Sequence, residues 1–203
     1  MDGNDTAINS LLEDTTAFLK RCQATAGETG SPENGQRDQL DCLKDFASKQ
    51  EAWIDLSALS LSFLSKGGGE NEVYYYGNQY VVKLNNLAYA GDDLLNFFTR
   101  IKAHNRYFCN IPYQMVGFAH NQEGEFCVVL LQDYVRAERE ATPKEIQTYM
   151  EKMGFVTDYL DEYHNDEYEI FDAVPNNVLY GIDGQLYFID TQIRLRRLDH
   201  SEI

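Results

Sequence analysis

Val73 to Tyr76 and Gln79 to Leu84 are two β-type runs separated only by Gly77-Asn78. A two-residue connection needs positive φ at its centre, which Gly and Asn tolerate best. Gly77-Asn78 therefore suits the tight turn of an antiparallel hairpin. A third extended run, Trp53 to Ser65, precedes them across Lys66-Gly67-Gly68-Gly69-Glu70-Asn71-Glu72. Leu94, Leu95, Phe98 and Ile101 recur at helical spacing and predict a helix over about 91–105. Two more strands are predicted near 113–119 and 125–131, joined by a turn containing Gly124. Three strands, one helix and two strands are thus expected in that order.

The flanks are different. Ile8, Leu11, Leu12, Phe18 and Leu19 predict an amphipathic helix over 5–24, and Leu40, Leu43, Phe46 and Ala47 a second one. Between them, Ala26 to Gln36 is loop-like. This extension carries no evident chemistry and is expected to pack on the sheet domain or on a partner. After the sheet, Thr142-Pro143-Lys144-Glu145 starts a helix, with Thr142 as cap, Pro143 in the first turn and Glu145 as the reciprocal partner. The helix is expected to continue or restart past Gly154 to about Tyr163, leaving His164 at a helix end or on the surface. The acids between Glu151 and Asp172 are expected to form a solvated face. Asp172 to Asn177 is a loop, and Asn177–Tyr180 and Gln185–Asp190 are strands around Gly181-Ile182-Asp183-Gly184. Arg194, Arg196 and Arg197 make a short basic tail.

Composition removes several functions. The 203 residues hold 33 acids against 17 bases, a net charge of −16. Neither nucleic acid nor an anionic membrane surface is an expected partner of such a chain. No apolar stretch approaches the roughly 20 residues of a membrane span. Met1-Asp2-Gly3-Asn4-Asp5 lacks the basic start and apolar run of a secretion signal. Cys22, Cys42, Cys109 and Cys127 are scattered without a C-x-x-C pair, so free thiols in a cytoplasmic protein are expected.

The chemistry-bearing residues fall into two groups. Upstream, Gly67, Gly68 and Gly69 could bring backbone N–H groups close to phosphate oxygens, because glycine has no Cβ to hold them off. Lys83 on Val81-Val82-Lys83 could supply a cation to the same phosphates. There is no G-x-x-x-x-G-K-[ST] motif, which excludes a P-loop nucleotidase. Downstream, Asp172 is followed five residues later by Asn177, and a short hairpin then ends in Asp190. An isolated acid there would be a solvated loop residue or a strand-end cap. The combination of spacing, order and strand context asks for more.

Taken together these residues resemble protein kinases over about 55–193, which implies an α+β, two-lobed fold, with a helical extension over 1–52, a sheet lobe over 53–135 and a reduced helical lobe over 136–203. Gly68 and Val73 fit the glycine-loop pattern, while Lys66 and Asn71 stand where it has its first and third glycines. Val81-Val82-Lys83 resembles the strand bearing the phosphate-binding lysine. Pro175-Asn176-Asn177-Val178-Leu179 resembles the catalytic loop. Val129 to Val135 resembles the hinge, in which Asp133 and Val135 would offer backbone groups to adenine after Gln132. The wording from Leu64 to Tyr74 and Gly117-Phe118 is similar to the short kinase-like domains of phage and conjugative-element polyvalent proteins. The resemblance implies ATP and Mg²⁺ as cofactors, Lys83 on the phosphates, Asn177 and Asp190 on the metal, and Asp172 accepting the acceptor's hydroxyl proton.

The departures are specific. Kinases pair the lysine with a glutamate on the next helix, yet no Glu lies between Glu72 and Glu123. Asp92, Asp93, Glu70 or Glu72 would have to replace it. Ile170-Phe171 stands in place of His-Arg before Asp172, and Thr191-Gln192 in place of Phe-Gly after Asp190. The 13 residues after Asp190 hold no activation segment or peptide platform. The expected function is a minimal phosphotransferase acting on a protein or small-molecule hydroxyl. The alternative is a pseudokinase-type interaction module, and a third reading is a structural module whose acidic surface binds a basic partner.

Overall fold

The computed structural model describes residues 10–27, 35–67 and 69–196. Gly68, Ile8 and Arg197 lie outside these described residues. The chain divides into two units, one of residues 1–99 and 113–134, the other of residues 100–112 and 135–203.

The first unit opens with α1 (Ser10–Gly27) and α2 (Gly35–Lys49). Their apolar stripes meet each other and the sheet: Phe18 lies 5.0 Å from Phe46 between ring centroids, and Phe46 meets Phe118 edge-on at 6.3 Å. The sheet comprises β1 (Leu61–Gly67), β2 (Asn71–Tyr76), β3 (Tyr80–Asn85), β4 (Gln114–His120) and β5 (Phe126–Asp133). All its pairings are antiparallel, in the order β1-β2-β3-β5-β4. The predicted hairpin is present: Gly77 and Asn78 have φ of 59° and 58°, and Tyr76 pairs with Tyr80. The first strand starts later than expected, because Leu56–Ala58 forms a 3-10 turn capped by Asp55.

Alternation gives the sheet two chemically distinct faces. Tyr74, Val82, Leu84, Ala119, Cys127 and Val129 build an apolar core on one. On the other, Lys83 and Asn85 follow each other on β3, with Val73 opposite Lys83 and Asn71 opposite Asn85. The helix α3 (Leu95–Tyr107) follows; its first residues, with buried Phe97 and Phe98, belong to this unit and the remainder to the other.

At Gly117 the bulged strand β4 meets the segment before β1. Phe118 N–H donates to Ala52 C=O at 2.9 Å and Ile54 N–H to Phe118 C=O at 2.8 Å. A Cβ on Gly117 would stand 2.5 Å from the Ala52 carbonyl oxygen, so only glycine fits.

The second unit is richer in strands than the sequence suggested. It contains β6 (Ala137–Glu140), α4 (Pro143–Lys152), β7 (Val156–Tyr159), β8 (Glu162–His164), β9 (Tyr168–Phe171), β10 (Val178–Gly181), β11 (Leu186–Phe188) and β12 (Gln192–Leu195). One sheet runs β11-β10-β6, another β12-β9-β8-β7. The expected reduced helical lobe is corrected accordingly: α4 and the second half of α3 are the α-helical parts among the described residues. Gly154 (φ 85°) stops α4, and Val156 to His164 folds as a hairpin, so His164 is a half-buried strand residue and not a helix end. The start of α4 is as expected, with both bonds of the Thr142–Glu145 box formed. The core joins Ile146 and Met150 of α4 to Phe155, Tyr163, Ile170, Val178 and Phe188, with Phe108 stacked on Phe188 at 4.3 Å. Arg194 belongs to β12 and pairs with Glu169.

All four cysteines are free; Cys109 is exposed, whereas burial pushes the Cys127 thiol up to about 12. Among the described residues no helix is long and apolar enough to cross a membrane.

Candidate functional site

Lys83 is an ammonium on a sheet face, only 5% exposed. Its Nζ donates to the Tyr113 hydroxyl at 3.0 Å and lies 5.0 Å from the centre of that ring. A buried cation persists only where anions or aromatic faces replace its water. The acids that sequence left open as partners separate clearly. Asp93 caps α3 by accepting the Leu95 N–H at 2.9 Å and takes the Gln23 amide at 2.6 Å. Asp92 is exposed. Glu72 lies on the opposite sheet face, held by the Tyr74 hydroxyl at 2.7 Å and the Asn121 amide at 3.0 Å. That contact and burial, burial foremost, push the Tyr74 phenol up to about 12.

Glu70 remains. It turns inward from the glycine turn and is 7% exposed. Its Oε1 accepts from Asn85 Nδ2 at 2.7 Å, and Asn85 stands on the same face of β3 as Lys83. The loop that carries it is tight. Gly67 ends β1 opposite Asn71, Gly69 has φ of 83°, and the Asn86 amide donates to the Gly69 carbonyl at 3.3 Å. Val73 sits directly across from Lys83. At the far end of the sheet, Gln132 is buried and Asp133 exposed, and Tyr134 N–H donates to Gln79 C=O at 2.7 Å. Val135 opens the second unit, half-buried against its core.

In the second unit, two hydrogen bonds of Asn177 link it to Asp172 and to the residue before Asp190. Asp172 follows β9 with a left-handed φ of 58°, a conformation Asp adopts more readily than most residues. Pro175–Asn177 forms a 3-10 turn that bends the chain back. Buried Asn177 then donates its Nδ2 to the Asp172 carbonyl at 3.0 Å. Its own carbonyl accepts the Ile189 N–H at 2.9 Å, which fixes the residue before Asp190. On the other side, Gln192 pairs with Phe171, so Thr191 comes level with Asp172. Thr191 is buried, and its hydroxyl finds no hydrogen-bond partner among the described residues. The sequence marked it only as a departure from Phe.

Asn177 and Asp190 offer a hard cation two oxygen-bearing side chains, and among the described residues no three His, Cys, Asp or Glu converge. Two protein ligands suit Mg²⁺, which keeps waters and phosphate oxygens for its remaining positions, better than a closed site of zinc type.

The sheet with its buried lysine and the Asp–Asn–Asp unit are features found in protein kinases. The chain belongs to the Serine/Threonine/Tyrosine kinases found in polyvalent proteins, whose family pattern covers residues 36–197. No curated protein matches it.

Proposed function

We propose that this chain is a minimal two-lobed kinase that transfers a phosphoryl group from ATP to a hydroxyl. Its lobes are 53–135 and 136–203, carried behind a helical extension over 1–52. Supporting this above all is the pair of hydrogen bonds that link Asn177 through its side chain to the Asp172 carbonyl and through its carbonyl to the Ile189 N–H beside Asp190. Asp172 is the exposed carboxylate that takes the proton of the acceptor hydroxyl as its oxygen attacks phosphorus. Asn177 and Asp190 would hold Mg²⁺, which supplies charge neutralisation on the phosphate oxygens. Lys83 binds phosphate, with Glu70 in place of the helix glutamate as its acidic counterpart. Gly67, Gly68 and Gly69 bring backbone N–H groups to the phosphates, Val73 covers the nucleotide, and the backbone of Asp133 and Val135 meets adenine.

The test is a thermal melt of the wild type and Asp190→Ala, with ATP alone and with ATP and Mg²⁺. A ligand at about 100 times its Kd stabilises by about 2.7 kcal/mol, which shifts Tm by several degrees. A Mg²⁺-dependent rise in the wild type that the variant loses is expected. Equal curves for both proteins would sink the assignment.

A second reading has its own observation. The helix α3, LNFFTRIKAHNRY, contains no carboxylate, as in a fold kept for interaction after turnover is lost. Phosphate transfer above that of Asp172→Asn excludes it.

A further inference from the structure

The hairpin β7–β8 has features that the fold of its own unit does not use. Val156, Tyr159 and Leu160 are 60%, 69% and 75% exposed. Leu160, at the tip, also has a φ of 42°, unfavourable for a leucine. Strand β7 is the edge of its sheet and has no further neighbour among the described residues. Edge strands are usually blunted by lysine or proline, and this one carries neither. Asp158, Asp161 and Glu162 are set among these apolar groups. The His164 Nδ1 lies 3.8 Å from Asp158.

Register places this surface. Tyr163 pairs with Ile170, antiparallel. Moving back from Tyr163 to Leu160 and forward from Ile170 to Asp172 therefore leads to the same end of the sheet. The hairpin tip and Asp172, whose carboxylate is assigned to the acceptor hydroxyl, therefore lie at the same end of the β8–β9 pair.

We infer that the β7–β8 hairpin is the docking surface for the acceptor, and that the acceptor is a polypeptide segment with lysine or arginine and an apolar residue close to its hydroxyl. The edge of β7 offers main-chain pairing to an extended segment. Tyr159 and Leu160 cover its apolar side chain, and Asp158, Asp161 and Glu162 meet its cations. A small-molecule acceptor would need neither the edge nor the exposed leucine. This inference rests on the role given to Asp172, but its test separates the two.

The probes are two dye-labelled peptides of equal length, each with one Ser, one Thr and one Tyr. One carries Arg and Leu beside the hydroxyls, the other Glu in place of Arg. Binding to the full chain without nucleotide is followed by fluorescence anisotropy, and phosphate incorporation is measured separately with ATP and Mg²⁺. The Arg peptide is expected to bind at least about tenfold more tightly than the Glu peptide. Asp161→Lys/Glu162→Lys should erase most of that preference, and Leu160→Gly should weaken the binding of both peptides. Glu138→Lys, on an exposed strand elsewhere in the unit, and Asp190→Ala should keep the preference. Melting curves establish that the variants are folded. Equal binding of both peptides, or hairpin variants that bind like the wild type, would overturn the inference. So would sedimentation showing this edge buried in a second copy of the chain. Peptide binding without phosphate incorporation would leave the docking surface standing and remove the catalytic reading.

Discussion

Gly117 is the residue at which the fold tolerates least change. Replacing it with alanine puts a methyl group 2.5 Å from a backbone oxygen and 2.8 Å from the Ile54 side chain. The Trp53–Phe118 bridge must then open. We expect Gly117→Ala to lose about 2 kcal/mol, in the range of an overpacked core, measured by urea unfolding. Lys83 gives a different lesson at the same scale. Its strand and its burial follow from Val-Val-Lys in a hairpin, so the residue itself was legible. Its hydroxyl partner, Tyr113, is thirty residues away, and no local pattern could have indicated it. Glu70 was one of four candidate acids in the sequence. What separates it from Glu72 is that pairing with Leu84 fixes the face of Glu72, whereas Glu70 lies in the turn before β2 and reaches the Asn85 amide from there.

Among the elements, α4 shows what local chemistry can specify. Thr142 accepts the Glu145 N–H, and Glu145 returns bonds to Thr142 while also clasping Arg139 at 2.8 and 2.9 Å. The Arg139 contact above all, and then the Thr142 bonds, hold the Glu145 carboxyl at about 2, below its ordinary 4.5. A carboxyl lowered on folding stabilises above its unfolded value, and the contribution disappears as pH falls through its folded value. The stability lost in Glu145→Gln should therefore be full at pH 6, decline below about pH 4.5 and vanish near pH 2, as followed by denaturant melts. The segment after α4 shows the limit. Val156 to His164 contains Tyr159, Leu160 and Tyr163, a spacing that also suits a helix. It becomes β7 and β8 because Gly154 ends α4 and the two strands pair with each other and, through β8, with β9, which apolar spacing alone does not signal. Asp172, Asn177 and Asp190 lie close in the chain, and their spacing could be read directly because one turn and one hairpin connect their main chains.

For the molecule as a whole, the two N-terminal helices were expected to pack on something, and no chemistry was seen in them. They in fact hold the start of α3. Gln39, buried, accepts the Leu94 N–H at 2.7 Å, and Gln23 reaches Asp93. Helix starts leave N–H groups that must find acceptors. Losing one acceptor from a buried donor costs about 1–3 kcal/mol, so Gln39→Ala should melt several degrees lower, and Gln39→Glu less so, in a calorimetric scan. The shared family pattern begins at residue 36, which places Gln39 inside it. In the history of such chains, a recombination joint at Trp53 would leave the sheet intact yet strand the first turn of its helix. Exchange between proteins is therefore constrained to carry α2 along with the sheet, as one inherited block and not as an interchangeable leader.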